Sequence, residues 1–393
     1  MTSKRVAYLD FYRYLTVSFA IMSHAIIAHH VTARVPQDVA IYIKALTRTA
    51  TPSLIVLFGM MIEIVYVKKW RNDQRSTLGT ISYRIILCYL AFFGLAAAEF
   101  LTGDVGFKRL ISSAMLIAPN TNGNIFKLYI FLLALIPPII FIRTRFGGIG
   151  LILCAVIAFT AHHFLIRPWA PLSPPFDHIG GLVIGLGNTF GPSVPHCLAL
   201  IAFGMICGSV INTRAMTFDR GALAVCLVMC IAIVGAQILD LGLNGVLLRV
   251  AEMRYWRSTN HPGYFAFGCV SAVTILLLSY ALVRYLYLSN VTVIYKVGGS
   301  TMMYFFVANI LIVIFSDVAV KNTTLLYATP FLYVALSTFL CLAWVTYGKK
   351  LGPVVAFNRQ VSNATMTLWN RDRSTDDRVE SGRSIQQHES TGP

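Results

Sequence analysis

The chain has 393 residues, 56% of them apolar and only 12% charged, and its mean hydropathy is +0.69. Those values exclude an ordinary soluble domain and fit a polytopic membrane protein. The formal net charge of +16 is not concentrated in any compact soluble stretch. It therefore argues against nucleic acid as a partner and for anchoring to anionic lipid.

Ten apolar segments are long enough, or nearly so, to cross a hydrocarbon core that needs about 20 helical residues. They lie near 14–30, 50–68, 82–101, 124–143, 147–165, 194–212, 221–241, 264–287, 299–317 and 325–347. The fold class expected is all-α, an integral membrane domain over 1–350, followed by a polar, disordered cytoplasmic tail over 351–393. With the N-terminus inside, 20 of the 32 Lys and Arg residues fall on the cytoplasmic side and 11 on the other, Arg13 being the remainder. That bias places both termini in the cytoplasm and calls for an even number of spans. The Gly-rich stretch 178–193 is ambiguous and can cross, re-enter or stay outside.

The N-terminal run Tyr12-Arg-Tyr-Leu-Thr-Val-Ser-Phe-Ala-Ile-Met-Ser-His24 is interrupted by two ionisable residues and has no small-residue cleavage site after it, so it reads as a span and not a signal peptide. Arg13 and His24 are eleven residues apart, nearly whole turns. They share a helix face and stand roughly 16 Å apart along it. Asp10 shares that face. Ionisable groups in a span are costly and are functional candidates by default. A neutral imidazole at mid-membrane suits a general base toward a hydroxyl. Arg13 suits a phosphate or carboxylate entering from inside, with snorkelling to lipid phosphate as the plain alternative.

Glu63 falls near the cytoplasmic end of segment two and is expected to pair with Arg13 or Arg84, most simply as a structural ion pair. Lys68, Lys69 and Arg71 form a basic link, and Arg84 opens segment three. Glu99 ends that segment at the water interface and is read as an interface residue. His29 and His30 lack a third ligand at useful spacing, so no metal site is expected. His162, His163, Arg167, Trp169, Asp177 and His178 surround the loop Pro168–Pro175. A second polar and aromatic stretch runs Arg254-Tyr-Trp-Arg-Ser-Thr-Asn-His261-Pro262. Either loop is an interfacial anchor or a surface on which a sugar stacks. The eight cysteines lie in or beside apolar segments and read as packing residues. No phosphate-binding Gly-x-x-x-x-Gly-Lys-Ser/Thr and no Gly-x-Ser-x-Gly occurs.

Asp10-x-x-Arg13 with His24 after ten intervening residues resembles the opening of the acyltransferase 3 superfamily of transmembrane acyltransferases. The stretches Ala50–Tyr66, Lys68–Arg71 with Arg84, and Asn124–Pro137 resemble its second helix, its basic link and the fourth-helix start of the OpgC-type branch, the periplasmic-glucan succinyltransferases. Gly298-Gly-Ser-Thr-Met-Met-Tyr304 extends the likeness toward the C-terminus. Two positions depart from the pattern. Phe58 replaces the usual Ser before Gly59, and Val307 stands where a second His is common.

The resemblance implies transfer of an acyl group, succinyl or acetyl, from acyl-CoA at the cytoplasmic face of a bacterial inner membrane to a hydroxyl of an extracytoplasmic carbohydrate such as a glucan. On that reading acyl-CoA is a co-substrate, and no cofactor is tightly bound. His24, with Asp10, forms the catalytic set. Arg13, Lys68, Lys69, Arg71 and Arg84 hold the donor. His261 and Tyr304 serve the acceptor side or structure, as does Glu63. A secondary transporter or exporter is the rival reading. Oligomeric state has no sequence signal.

Overall fold

A segment crossing a hydrocarbon core must satisfy its backbone N–H and C=O groups internally, which the apolar runs of this chain do as helices. The computed structural model describes residues 6–170, 172–187, 191–212, 217–252, 254–286, 291–316, 318 and 322–369, and no strand occurs among them. Lys4, Arg5, Arg214 and the tail from residue 370 onward lie outside the described residues.

The first half comprises α1 (Ala7–Ala28), α2 (Gln37–Arg48), α3 (Ala50–Met61), a π-helical turn (Ile62–Val67), α4 (Lys68–Asn72), α5 (Gln74–Leu101), α6 (Phe107–Ala114), α7 (Asn124–Ala134) and α8 (Ile136–Ala161). The second half comprises α9 (Asp177–Val183), α10 (Val194–Ile211), α11 (Thr217–Ala251), α12 (Pro262–Tyr285), α13 (Thr292–Gly298), α14 (Thr301–Phe315), α15 (Thr323–Thr346) and α16 (352–369). Side chains set several starts. Asp73 accepts from Ser76 N at 2.9 Å to cap α5, and Asn322 caps α15 through Leu325 N. His261 caps α12 ahead of Pro262, whose missing N–H costs nothing in a first turn.

Among the described residues, eight helices, or continuous helical runs, are long and apolar enough to cross a membrane, and α13 with α14, bent by 85°, makes a ninth if counted as one broken span. The sequence expectation of ten therefore exceeds this count. The difference lies in how 124–165 is divided. The helical backbone continues from α7 into α8 across Leu135, whose N–H donates to Phe131 O at 3.2 Å, and it breaks at Gly147 (φ 65°), between the two segments the sequence marks there. Among its described residues, stretch 178–193 holds most of the seven-residue α9, about 10 Å long and too short to cross.

Small residues bring the central helices into backbone contact. A Cβ on Gly59 would lie 2.4 Å from Ile201 O, and one on Gly204 2.0 Å from Val56 O, so α3 and α10 meet with nothing between them. α1 packs against α3, α12, α13, α14 and α15. It is thereby surrounded by protein, as its polar residues require. The eight cysteines are free.

The C-terminal segment differs from the expectation of a disordered tail over its first part. Residues 352–369 are helical and dock on α5, with Trp369 Nε1 donating to Ser82 Oγ at 3.0 Å and Tyr83 Oη donating to Asn358 at 3.0 Å.

Candidate functional site

A cavity of about 570 Å³ opens at the end of the bundle where α1 finishes. α1 contributes His24 to its lining, α2 Arg48, α5 Glu99, α7 Lys127, α9 His178, and the loop before α12 Arg257. Apolar walls come from Leu54, Leu128, Phe305 and Val313. The site is thus assembled from segments spread over nearly 300 residues, and a concave, partly apolar chamber with few convergent polar groups is the usual form of a small-molecule site.

His24 is held by α14. Its Nδ1 lies 2.5 Å from Asn309 Oδ1. Asn309 Nδ2 donates in turn to Phe305 O at 2.7 Å, which fixes the amide with its oxygen toward the imidazole. Asn309 is fully buried, and Oδ1 can only accept, so the shared proton sits on His24 Nδ1. The Nε2 lone pair is left for the cavity that His24 lines. Phe305 and the imidazole meet edge to face at 5.5 Å and keep the ring in place. A neutral imidazole locked in this tautomer beside a water-accessible chamber can take a proton from a bound hydroxyl.

Asn309 was not singled out by the sequence. Its only signal is a carboxamide in an otherwise apolar helix, where a polar group must find a partner.

The charged residues of the lining are mostly cationic. Arg48, Arg109, Lys127 and Arg257 face two carboxylates, Glu99 and Asp104. Lys127 is 2% exposed and spends its ammonium on the carbonyls of Ile117 and Ala118, at 3.2 and 3.4 Å. Glu99, expected at the water interface, is buried in the chamber wall. His178, outside the spans, has its pKa lowered, first by burial.

At the opposite end of α1, Asp10 is buried and pairs with Arg13 at 3.2 Å. Arg13 also reaches Met61 Sδ. Asp10 does not serve His24. The two stand about 21 Å apart along one helix, and Asp10 is engaged at the other end of the bundle. Lys69 is tied to Thr80. Arg84 lies over the Tyr66 ring at 6.0 Å, while Lys68 and Arg71 are exposed. These residues share the Arg13 end.

Glu63 pairs with neither Arg13 nor Arg84. Arg143 of α8 clamps it with two hydrogen bonds of 3.0 Å and holds Asp219 at 2.8 and 3.2 Å, with Ser209 also donating to Asp219 at 2.6 Å. Glu63 packs over Gly208 and so faces α10 and α8, away from α1. Its role is structural.

Tyr304 is buried, stacks on Tyr14 at 5.6 Å and bonds Ser18 and Thr338 through its hydroxyl. It joins α1, α14 and α15 and stands outside the cavity lining, so the structural alternative holds for it. His261 lines a second cavity of about 550 Å³, together with His162, His163, Arg167 and Arg254, and stacks on Trp256 at 5.3 Å. The two polar loops of the sequence thus meet in one place, while His178 of the first and Arg257 of the second line the His24 chamber instead. Burial, then the nearby Arg249 and Arg167 cations, lower the His261 pKa.

No family model matches the sequence, and no curated protein matches it either.

Proposed function

We propose that this protein is a membrane O-acyltransferase that moves an acyl group, succinyl or acetyl, from cytoplasmic acyl-CoA to a hydroxyl of an extracytoplasmic carbohydrate such as a periplasmic glucan. The observation that carries the reading is His24 lining a chamber with its Nδ1 held by Asn309, which leaves Nε2 as its free ring nitrogen. The Asp10-x-x-Arg13…His24 resemblance supports it. So does the concentration of Lys68, Lys69, Arg71 and Arg84 at the Arg13 end, which the positive-inside bias assigns to the cytoplasmic side; the bacterial inner membrane follows from the resemblance.

In the reaction, donor phosphates lie against the basic end and the thioester reaches inward toward His24. His24 Nε2 accepts the hydroxyl proton as the acceptor oxygen bonds to the thioester carbonyl carbon. The carbon–sulfur bond breaks, the thiolate takes the proton from the imidazolium, and an ester and free CoA result. The test is mass spectrometry of surface glycans from a strain lacking the protein, complemented with wild type or with His24→Ala. Loss of one acyl mass, restored by wild type alone, is the expected result. Restoration by His24→Ala sinks the reading.

The 85° break between α13 and α14 favours a second reading, a secondary transporter, because broken helices commonly build transport sites. An unchanged glycan profile, together with uptake or efflux lost in Arg13→Ala, is its signature.

A further inference from the structure

Resting on the acyl-transfer reading, we infer that the acceptor is an acidic saccharide, whose carboxylate or phosphate is held between Arg48 and Arg257 while its hydroxyl meets His24. Three observations carry this.

Both guanidinium groups line the His24 chamber, Arg48 from the last turn of α2 and Arg257 from the loop before α12. They stand near enough to repel each other and to act together on His24. Two like charges drawn together in a half-buried chamber repel, and an anion lying between them relieves that repulsion.

Arg48 makes no hydrogen bond or ion pair with any described residue. The nearby carboxylate, Glu252, is taken by Lys44 at 3.0 Å. Arg48 therefore presents its donors to the chamber, where the planar fork of a guanidinium matches a carboxylate or phosphate.

The Tyr264 hydroxyl, buried with no hydrogen-bond partner among the described residues, stands within electrostatic reach of both arginines.

The test uses the full chain in nanodiscs of phosphatidylcholine, free of anionic lipid. Matched probes differ in charge alone: trigalacturonate against its trimethyl ester, and glucose 1-phosphate against glucose. Wild type is expected to bind at least one acidic probe about tenfold more tightly than its neutral partner, the scale of a charge-assisted contact. The probe that shows the preference names carboxylate or phosphate as the group. Arg48→Gln and Arg257→Gln lose the preference, and His24→Ala keeps it. No charge preference in either pair, or a preference that both glutamine variants keep, overturns the proposal.

A second measurement needs no variant. Phenylglyoxal labels arginines of the wild type, and the preferred acidic probe should shield Arg48 and Arg257 but not the exposed Arg71. Equal labelling with and without the probe also overturns it. Binding requires no acyl donor, so the two readings fail separately. Charge-dependent binding without ester formation from any acyl-CoA removes acyl transfer and leaves the anion site. Ester formation on neutral sugars alone does the reverse.

Discussion

His24 and Asn309 form a hydrogen-bonded pair 2.5 Å apart, made between two helices 285 positions apart in sequence. The pair fixes which imidazole nitrogen carries the proton, so Asn309 acts on the chamber through His24. Replacing Asn309 with Leu frees the ring to adopt the wrong tautomer and strands Nδ1–H in apolar surroundings. Acyl transfer should fall at least about tenfold, because orienting partners of a catalytic His carry losses of that size or larger. The variant His24→Ala/Asn309→Leu should be no slower than His24→Ala alone, since residues acting as one unit are not additive. Initial rates in membrane vesicles check both statements. A further drop in the double variant would show that Asn309 works independently.

The Arg143 cluster should behave in the opposite way, affecting folding and not chemistry. Arg143→Met leaves Glu63 and Asp219 as two buried carboxylates without a cation, and their side chains are only 13% and 7% exposed. Breaking a buried ion pair by removing one partner costs about 3–5 kcal/mol. Detergent-solubilised Arg143→Met should unfold at a markedly lower temperature and accumulate poorly. Replacing all three members together with Glu63→Leu, Arg143→Met and Asp219→Leu should recover much of that loss. A Tm for Arg143→Met equal to wild type would remove the cluster from the stability account.

What the sequence discloses here is mainly within-helix information. The apolar runs mark the spans, and three-residue spacing puts Asp10 beside Arg13, as the 3.2 Å ion pair shows. Pro262 marks a helix start. Spacing along one helix says nothing about what a face meets. Glu63 reads as a partner for the costly charges of Arg13 or Arg84, yet its partner Arg143 stands 80 positions on, because the π-helical turn after α3 presents Glu63 to α10 and α8. Arg48, Glu99 and Arg257 lie at helix ends and in loops, where an interfacial charge and a chamber wall look alike until α1, α2, α7 and α14 are assembled around them. Gly147, by contrast, falls where the sequence divides two apolar segments, and its positive φ breaks the helical run there.

The α3–α10 contact gives a sharper stability test. A Cβ at Gly204 would fall 2.0 Å from Val56 O and 3.1 Å from Gly59 Cα, both backbone atoms that cannot rotate away. Even Gly204→Ala should force the helices apart, with a cost at or above the 1–3 kcal/mol typical of overpacking. Gly221, whose Cβ would meet nothing within 4 Å, is the matched control, and Gly221→Ala should be neutral or slightly stabilising. Fluorescence size-exclusion profiles of the two variants distinguish these outcomes. A monodisperse Gly204→Ala protein with wild-type Tm would contradict the close crossing.

His261 supplies a pH dependence whose sign follows from its surroundings. Burial and the Arg249 and Arg167 cations lower its pKa below the ordinary 6.5, so the folded protein holds it neutral. Its Nδ1 accepts from Gly263 N at 3.1 Å, which requires the unprotonated nitrogen. Above about pH 6.5 both folded and unfolded chains carry a neutral ring, and the cap is fully present. As pH falls below that value the unfolded chain protonates first, and stability is lost progressively until pH passes the lowered folded value. Wild type should therefore show a lower Tm at pH 5 than at pH 8. His261→Asn keeps an acceptor for Gly263 N and cannot titrate, so the pH difference should shrink while Tm at pH 8 changes little. His261→Ala should lose about 1 kcal/mol at pH 8, the worth of a helix cap. A Tm difference between pH 5 and pH 8 that is the same in wild type and His261→Asn would show that His261 does not set the pH dependence.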